Sequence, residues 1–495
     1  SPDFSPGGLE KGRVLWHKQF IEKMLEPRRT PDPMTTECNE TSFAFPAEGR
    51  REVIARFDGG AITSDAGGLL LRQTDQRIHL LGRLAKCFTD GRDPERVEHP
   101  LGQLLAQRIF GLALGYEDLN DHDQLRADPL LAVMAGCADA TGQQRRLQRD
   151  RGNPLAGKST LNRLEQSGET PDRYRKINYD AKAIDALWVD IFLESQAAAP
   201  EQIILDLDAT DAPLHGRQER RFFHGYYDAY CYLPLYIFCG EHLLCARLRP
   251  SNIDASKGSA WEVRRIVRRI RARWPGVRIV LRADSGFARE RLMRWCEKHG
   301  VDYVFGLARN ERLAKEVVAA MEQARAEAAA TGQAARAYAE FFYQTQKSWS
   351  RARRVVAKAE YTSGKENPRF VVTSLEAREW AARALYEELY CARGEMENRI
   401  KEQLSLFSDR MSAAKLRSNQ LRLYLSSAAY VLVQALRRLA LGGTELARAQ
   451  VETIRRTLLK IGAQVRVTVR KVWVSMASGY AYAELYQTVY GRLRC

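Results

Sequence analysis

"IILDLDATDAPLHG", residues 203–216, is the stretch on which the reading of this chain turns. Ile203, Ile204 and Leu205 form a short apolar run of the kind a buried strand needs, and it leads straight into Asp206, Leu207 and Asp208. Because side chains alternate along a strand, Asp206 and Asp208 share one face. No neighbouring residue is basic enough to neutralise both. Yet the chain of 495 residues carries 77 Lys and Arg against 61 Asp and Glu, a formal charge of +16. Two bare acids at the end of a buried strand in a basic protein need a reason.

Working outward from this strand, "YCYLPLYIFC" (230–239) and "HLLCARLRP" (242–250) read as two further strands, with Gly240 and Glu241 forming the turn between them. "SAWEVRRIVRRIRARW" (259–274) puts Val263, Ile266, Val267 and Ile270 on one helical stripe with arginines opposite. "RIVLRADSG" (278–286) is a fourth strand, 289–299 a helix, and "VDYVFGLA" (301–308) a fifth strand. The order β-β-β-α-β-α-β predicts an α/β core, a mixed sheet with helices on its faces in the order of an RNase H-like fold.

The flanking regions read as follows. Residues 1–47 are polar and aperiodic, a disordered tail or translated leader with Met34 as a candidate natural start. Residues 48–200 read as an all-α domain, with helical spacing clearest in "LGQLLAQRIFGLALG" (101–115). The core starts over 201–309, a β-rich insertion subdomain follows over 310–376, the core's final helices occupy 377–442, and a C-terminal α/β segment with one strand at 464–476 closes the chain over 443–495. No apolar run approaches the ~18–20 residues a bilayer span needs, and no secretory signal pattern stands at the N-terminus, so a cytoplasmic, nucleoid-associated protein with no membrane partner is expected. Nine scattered cysteines without a C-x-x-C pair read as free thiols, not a zinc site. The excess positive charge points to nucleic acid.

Within the core, Asp208 ends the first strand, and Asp284, in "LRADSGF", ends the fourth, which this fold lays beside the first. Two carboxylates converging at strand ends repel each other unless a divalent cation sits between them. All-oxygen ligands suit Mg²⁺, with Mn²⁺ as substitute. A third acid comes from "YCARGEMENRIKE" (390–402), where helical spacing puts Tyr390, Arg393, Glu397 and Lys401 on one face. Alone, such a helix reads as a solvated surface of i,i+4 pairs. Joined to the two aspartates it suits a phosphodiester site, with Glu397 completing the acid set, Arg393 and Lys401 holding phosphates and Tyr390 packing alongside. Asp206 competes with Asp208 for the first position. Asp208 is favoured because it lies nearer the strand end and sits in "DAT".

"DLDAT", "LRADSGF", "YVFGLARN" and the Y-x₂-R-x₃-E arrangement at 390–397 together resemble the DDE transposases of bacterial insertion sequences, most closely the insertion-sequence 1380 family. The resemblance runs from about Phe57 onward. It implies a metal-dependent nuclease and strand transferase with the triad Asp208, Asp284 and Glu397, two bound metal ions, double-stranded DNA as substrate (the element's terminal inverted repeats and a target) and a homodimer on DNA. One departure stands out: the wider signature puts a Lys seven residues beyond the Glu, where this chain has Leu404. Lys401, one turn earlier, is the available substitute. The alternatives are an RNase H-like nuclease or resolvase that never joins DNA, and a DNA-binding protein whose acids are structural.

"GNPLAGKST" (152–160) matches a P-loop, but the cationic "GQQRRLQRDR" before it cannot form the strand a P-loop requires, so no nucleotide cofactor is expected. It reads instead as a turn ahead of a short helix capped by Ser159 or Thr160, in a helix-turn-helix-like unit. There Arg145, Arg146, Arg149, Lys158, Asn162 and Arg163 are DNA-binding candidates. "RRFFHGYYDAYCY" (220–232) reads mainly as sheet packing, with His224 a candidate near the metal. Trp349 is a candidate for stacking on a flipped base.

Overall fold

The computed structural model of the chain describes residues 42–166, 172, 174–362 and 364–494. Met34, Cys38 and Cys495 lie outside the described residues. The described residues fall into two compact units, one ending at Gly59 and one beginning at Gly60. The first is an antiparallel hairpin, β1 (Ser42–Glu48) and β2 (Arg51–Arg56), with Gly49 at φ +62° in its turn. The tail expected through residue 47 therefore gives way to a strand at Ser42.

In the second unit, the region expected to be all-α carries short strands as well. β3 (Ile62–Thr63) precedes the helices, and β4 (Phe88–Asp90) pairs with β5 (Ile177–Tyr179). The helices Gly68–Ile78, Leu101–Leu114 and Ala181–Glu194 supply Leu70, Leu71, Ile109, Phe110, Leu187 and Trp188 to a core shared with the long helix Leu416–Leu436. This cluster draws residues from both ends of the sequence.

The central strands are β6 (Gln202–Ala209), β10 (Leu235–Cys239), β11 (His242–Arg247), β12 (Arg278–Ala283) and β13 (Asp302–Leu307). Between β6 and β10 a small sheet is made by β7 (Ala212–Pro213), β8 (Phe222–His224) and β9 (Ala229–Tyr232). "YCYLPLYIFC" is thus two strands, not one. Pro234 has no N–H to donate, and Leu233 and Pro234 bond instead to Arg249 and Thr210. The core sheet runs β11-β10-β6-β12-β13, antiparallel at its first two junctions and parallel at the next two.

Beyond β13 come β17 (Arg369–Thr373), β15 (Arg353–Thr362) and β14 (Ala335–Tyr343), with β16 (Lys365–Glu366) beside β15. The stretch expected as a separate insertion subdomain therefore extends the same sheet. "QVRVTVRKVWVSM" folds as two strands, β18 (Ala463–Val467) and β19 (Val472–Met476), and β18 also pairs with β3. Among the described residues no helix is long and apolar enough to cross a membrane.

Alternation along the strands divides the sheet into two faces. Leu205, Leu207, Leu235, Ile237, Ile279 and Leu281 enter a core with Val263, Ile266 and Ile270 of the helix Ser259–Arg273 and Met293 of the helix Glu290–Lys298. On the opposite face Tyr236 and Phe238 join the helical core. On that face too, Val304, Val356 and Val371 pack with Leu385 and Leu389, and Ile204 lies against them. Asp206, Asp208 and Arg282 fall on this second face, in the polar seam between the two apolar clusters.

Candidate active site

Strand register brings the first two acids together. β6 and β12 run parallel with Arg282 opposite Asp206 and Ala283 opposite Leu207, so Asp284 follows at the level of Asp208. Asp284 directly follows β12 and caps the tight turn Ser285–Phe287, its Oδ1 accepting from the Gly286 N–H at 2.9 Å.

Asp206 and Asp208 have different surroundings. The Asp206 carboxylate is buried and clamped by Arg282, with Nε–Oδ1 at 2.5 Å and Nη2–Oδ2 at 2.8 Å. The second Nη of Arg282 donates to the Leu389 carbonyl at 2.7 Å. Both oxygens of Asp206 accept from Arg282, whereas only one oxygen of Asp208 meets a guanidinium. Asp208 accepts from Arg393 Nη1 at 3.2 Å, and from its own following N–H, that of Ala209, at 2.9 Å.

The segment supplying Arg393 and Glu397 is not the continuous helix that the spacing of Tyr390, Arg393, Glu397 and Lys401 implies. It runs as a short α-turn, a wide π-helical turn Leu385–Tyr390, a tight turn Cys391–Arg393 and the α-helix Gly394–Leu404. Arg282 reaching the Leu389 carbonyl competes with the regular backbone ladder, and a side chain inserted in that way distorts a helix. The helix Gly394–Leu404 is fixed by Glu402, which is buried, pairs with Arg437 and accepts from Arg399 at 2.9 Å and the Val451 N–H at 3.1 Å. Glu397 therefore projects from an anchored helix, with its side chain 56% exposed, and accepts from Arg393 Nη2 at 3.4 Å. Lys401 is exposed on the same helix.

Arg393 thus bridges Asp208 and Glu397. Burial works against its charge, but Asp208, Tyr390, Asp284 and Glu397 together hold its pKa above the ordinary arginine value. Asp208 is pushed up to about 6, chiefly by burial; Arg393 and the Ala209 N–H pull it down while Asp284 and Glu397 push it up. One guanidinium does not balance the local negative charge. The surplus carboxylate oxygen suits a hard divalent cation. As placed, however, among the described residues no three His, Cys, Asp or Glu side chains stand close enough to coordinate an ion. Arg393 occupies the space between two of the expected ligands.

The raised Asp208 pKa has a consequence for stability. Between about 3.8 and about 6 the folded chain holds a proton at Asp208 that the unfolded chain has released. Stability of the metal-free protein therefore falls as pH rises through this window, by up to about 3 kcal/mol. Denaturant titrations at stepped pH are expected to show a decline in wild type that Asp208→Asn removes.

Tyr390 lies over Gly306 of "YVFGLARN". A Cβ at Gly306 would fall 2.5 Å from the Tyr390 hydroxyl and 2.9 Å from the Ser285 nitrogen, so this close approach requires glycine. Burial raises the Tyr390 pKa, with Asp284 adding to it and Arg393 opposing it. A cavity of about 400 Å³ opens here, lined by Asp284, Gly306, Arg309, Arg369, Tyr386 and Tyr390 among others. Gly306, Arg309 and Arg369 were not singled out in the sequence, although "FGLARN" carried the first two.

The remaining candidates scatter. His224 is a neighbour of Tyr227. The two rings pack 4.9 Å apart, and Tyr227 is the group that feels the acids, its pKa pushed up to about 12 by burial and then by Asp211 and Asp208. Trp349 is buried in the core against Tyr343, with Arg353 5.3 Å from its ring centroid, so it offers no face to a base. The helix Lys158–Glu165 is preceded by a tight turn at Gln148–Asp150 and a loop, not by a strand. Its N-cap is Gly157, not Ser159 or Thr160, because Asp123 from another element accepts the Lys158 N–H at 3.1 Å.

Lys158 Nζ is also engaged, 3.2 Å from Asp123, and Asn162 accepts from Gln166. Arg145 turns in to Glu98 at 2.7 Å, whereas Arg146, Arg149 and Arg163 are exposed. Arg145 and Arg163 line a cavity of about 460 Å³ together with Arg92, Arg126, Lys176 and His99.

The family model described as "Transposase DDE domain group 1" matches residues 45–495. Among solved structures, the chain is similar to the piggyBac transposase synaptic complex with hairpin DNA, at 11% identity and a TM-score of 0.41, over 80% of this chain and 79% of that one. No curated protein matches in sequence.

Proposed function

The chain belongs to the DDE transposases, transposase DDE domain group 1, and from that premise we propose that it is a DNA transposase that cleaves phosphodiesters at the ends of its element and joins the freed 3′-hydroxyl to target DNA. The observation that carries this reading is Arg393 bridging Asp208 and Glu397 at 3.2 and 3.4 Å beside Asp284, three acids from distant parts of the chain around one cation. Sheet order and strand direction support an RNase H-like core. The quoted motifs support the insertion-sequence 1380 family, hence a bacterial, nucleoid-associated protein.

Asp208, Asp284 and Glu397 would hold Mg²⁺ or Mn²⁺, two ions being expected, and such ions when bound offset phosphate charge and make water a better nucleophile. Arg393, released from the carboxylates, would donate to a non-bridging phosphate oxygen, a bidentate role suited to guanidinium. Arg309 and Arg369 line the neighbouring cavity, where they would guide the strand backbone, and Lys401 adds charge from the exposed helix face. Tyr390, seated on Gly306, keeps the wall beside Asp284 in place. First water and then the 3′-hydroxyl attacks phosphorus in line, each reaction breaking one P–O bond and forming another, with no covalent enzyme intermediate and no ATP. Cutting two ends in concert calls for a homodimer on DNA.

A linear duplex carrying both ends that flank the coding sequence, incubated with target plasmid and Mg²⁺, should yield joined products. Nicks without joining would favour a nuclease or resolvase, and binding without nicks a DNA-binding protein.

The helical region is read as the duplex-binding part. Replacing Arg146, Arg149 and Arg163 with Ala should weaken binding to all sequences and reduce the slope of log K against log salt by about one for each lost phosphate contact. Anisotropy titrations at several salt concentrations measure this. Arg145→Ala should act on stability, because it breaks the pair with Glu98.

A further inference from the structure

The β8–β9 hairpin exposes its rings. Tyr226 is 85% exposed, Phe223 53%, Tyr230 45% and Phe222 39%. Two ring pairs result, Phe223 meeting Tyr230 edge to face at 5.6 Å and Tyr226 meeting Tyr227 at 5.0 Å. The base of the hairpin is fixed: Tyr232 and Cys231 are buried, the Tyr232 hydroxyl donates to the Glu219 carbonyl at 2.5 Å, and Ser251 donates to the Phe222 carbonyl at 2.9 Å. Arg220 and Asp228, one ahead of β8 and one ahead of β9, are held at φ +59° and +49°, a backbone state that costs energy and gathers at functional sites. Exposed rings on so firm a base are candidates for binding.

Two observations say what it binds. Tyr227 joins the hairpin to the acids, since its hydroxyl donates to the carbonyl of Ala209, the residue after Asp208, at 3.4 Å. Arginine accompanies the rings, with Arg221 Cζ 4.1 Å from the Tyr230 centroid and Arg217 and Arg220 close by in sequence. Aromatic faces interleaved with guanidinium stack nucleobases without regard to sequence. We propose that the β8–β9 hairpin is a stacking platform for unpaired nucleobases of a DNA end lying at the carboxylate site. The proposal rests on the transposase reading and adds to it a binding site for opened DNA.

The test uses the full chain and a duplex with a short single-stranded thymidine tail that includes 2-aminopurine, compared with the same duplex blunt, both without divalent ions. The tailed duplex should bind about tenfold more tightly and its 2-aminopurine fluorescence should be quenched. Tyr226→Ala with Phe223→Ala should abolish both effects and leave blunt-duplex affinity unchanged, while Tyr226→Phe should retain them. Equal affinity for the two duplexes, or a preference that survives the double substitution, overturns the proposal. So does a double variant that sediments as monomer where wild type is dimeric, because the rings would then belong to an interface between copies. Blunt-duplex binding and Mg²⁺-dependent nicking report separately on the transposase reading; loss of the tail preference alone leaves it intact.

Discussion

Asp208→Asn is expected to slow DNA nicking by on the order of a thousandfold, about 4 kcal/mol of barrier, with duplex affinity unchanged. Asp208 ends β6 beside Asp284 and shares Arg393 with Glu397. Asn keeps the shape and one oxygen but removes the charge. The substitution should not harm the fold, because Asp208 is already a buried acid under the repulsion of two others. Nicking assays with Mg²⁺ and anisotropy on the same preparation check both halves of the expectation. Nicking at the wild-type rate would exclude Asp208 from the chemistry.

Asp206→Ala, two residues away, should do the opposite. It strands the Arg282 guanidinium, whose side chain is 7% exposed, without its carboxylate. Breaking a buried pair on one side costs about 3–5 kcal/mol. Chemical denaturation should show a loss of that size, with a lowered melting temperature, whereas Asp208→Asn should match wild type below about pH 4 and exceed it at neutral pH, where the buried charge is gone. Since Arg282 also holds the Leu389 carbonyl, the turn leading to Arg393 should loosen as well, and residual activity should fall with it. The two aspartates share a strand face and a residue type, yet one is expected to act on stability and the other on rate.

The strand alternation of "QIILDLD" and the helical stripe of 259–274 were legible because each buries one face, and burial enforces the period. The pairing of β12 with β6 followed from the order of elements. The limits were local and physical. Pro234 divides what hydropathy alone makes one strand. Arg282, distant in sequence, takes the Leu389 carbonyl where the helix changes its winding, and no spacing rule contains that contact. For the same reason the sequence could rank Asp208 over Asp206 only by position, while the structure separates them by the guanidinium that clamps one. The rings of 220–232 were read as packing because composition cannot tell a buried aromatic from an exposed one on a hairpin. Arg393 was read as a phosphate ligand; its place between two acids appears only when β6 and the helix Gly394–Leu404 are set side by side.

The most direct test of the convergence of these acids is anomalous scattering from crystals of the protein soaked in Mn²⁺. Metal bound by carboxylate oxygens of Asp208, Asp284 and Glu397, with Arg393 turned away from them, is the expected result. Saturating Mn²⁺ that leaves these carboxylates empty, with Arg393 still bridging Asp208 and Glu397, would contradict it.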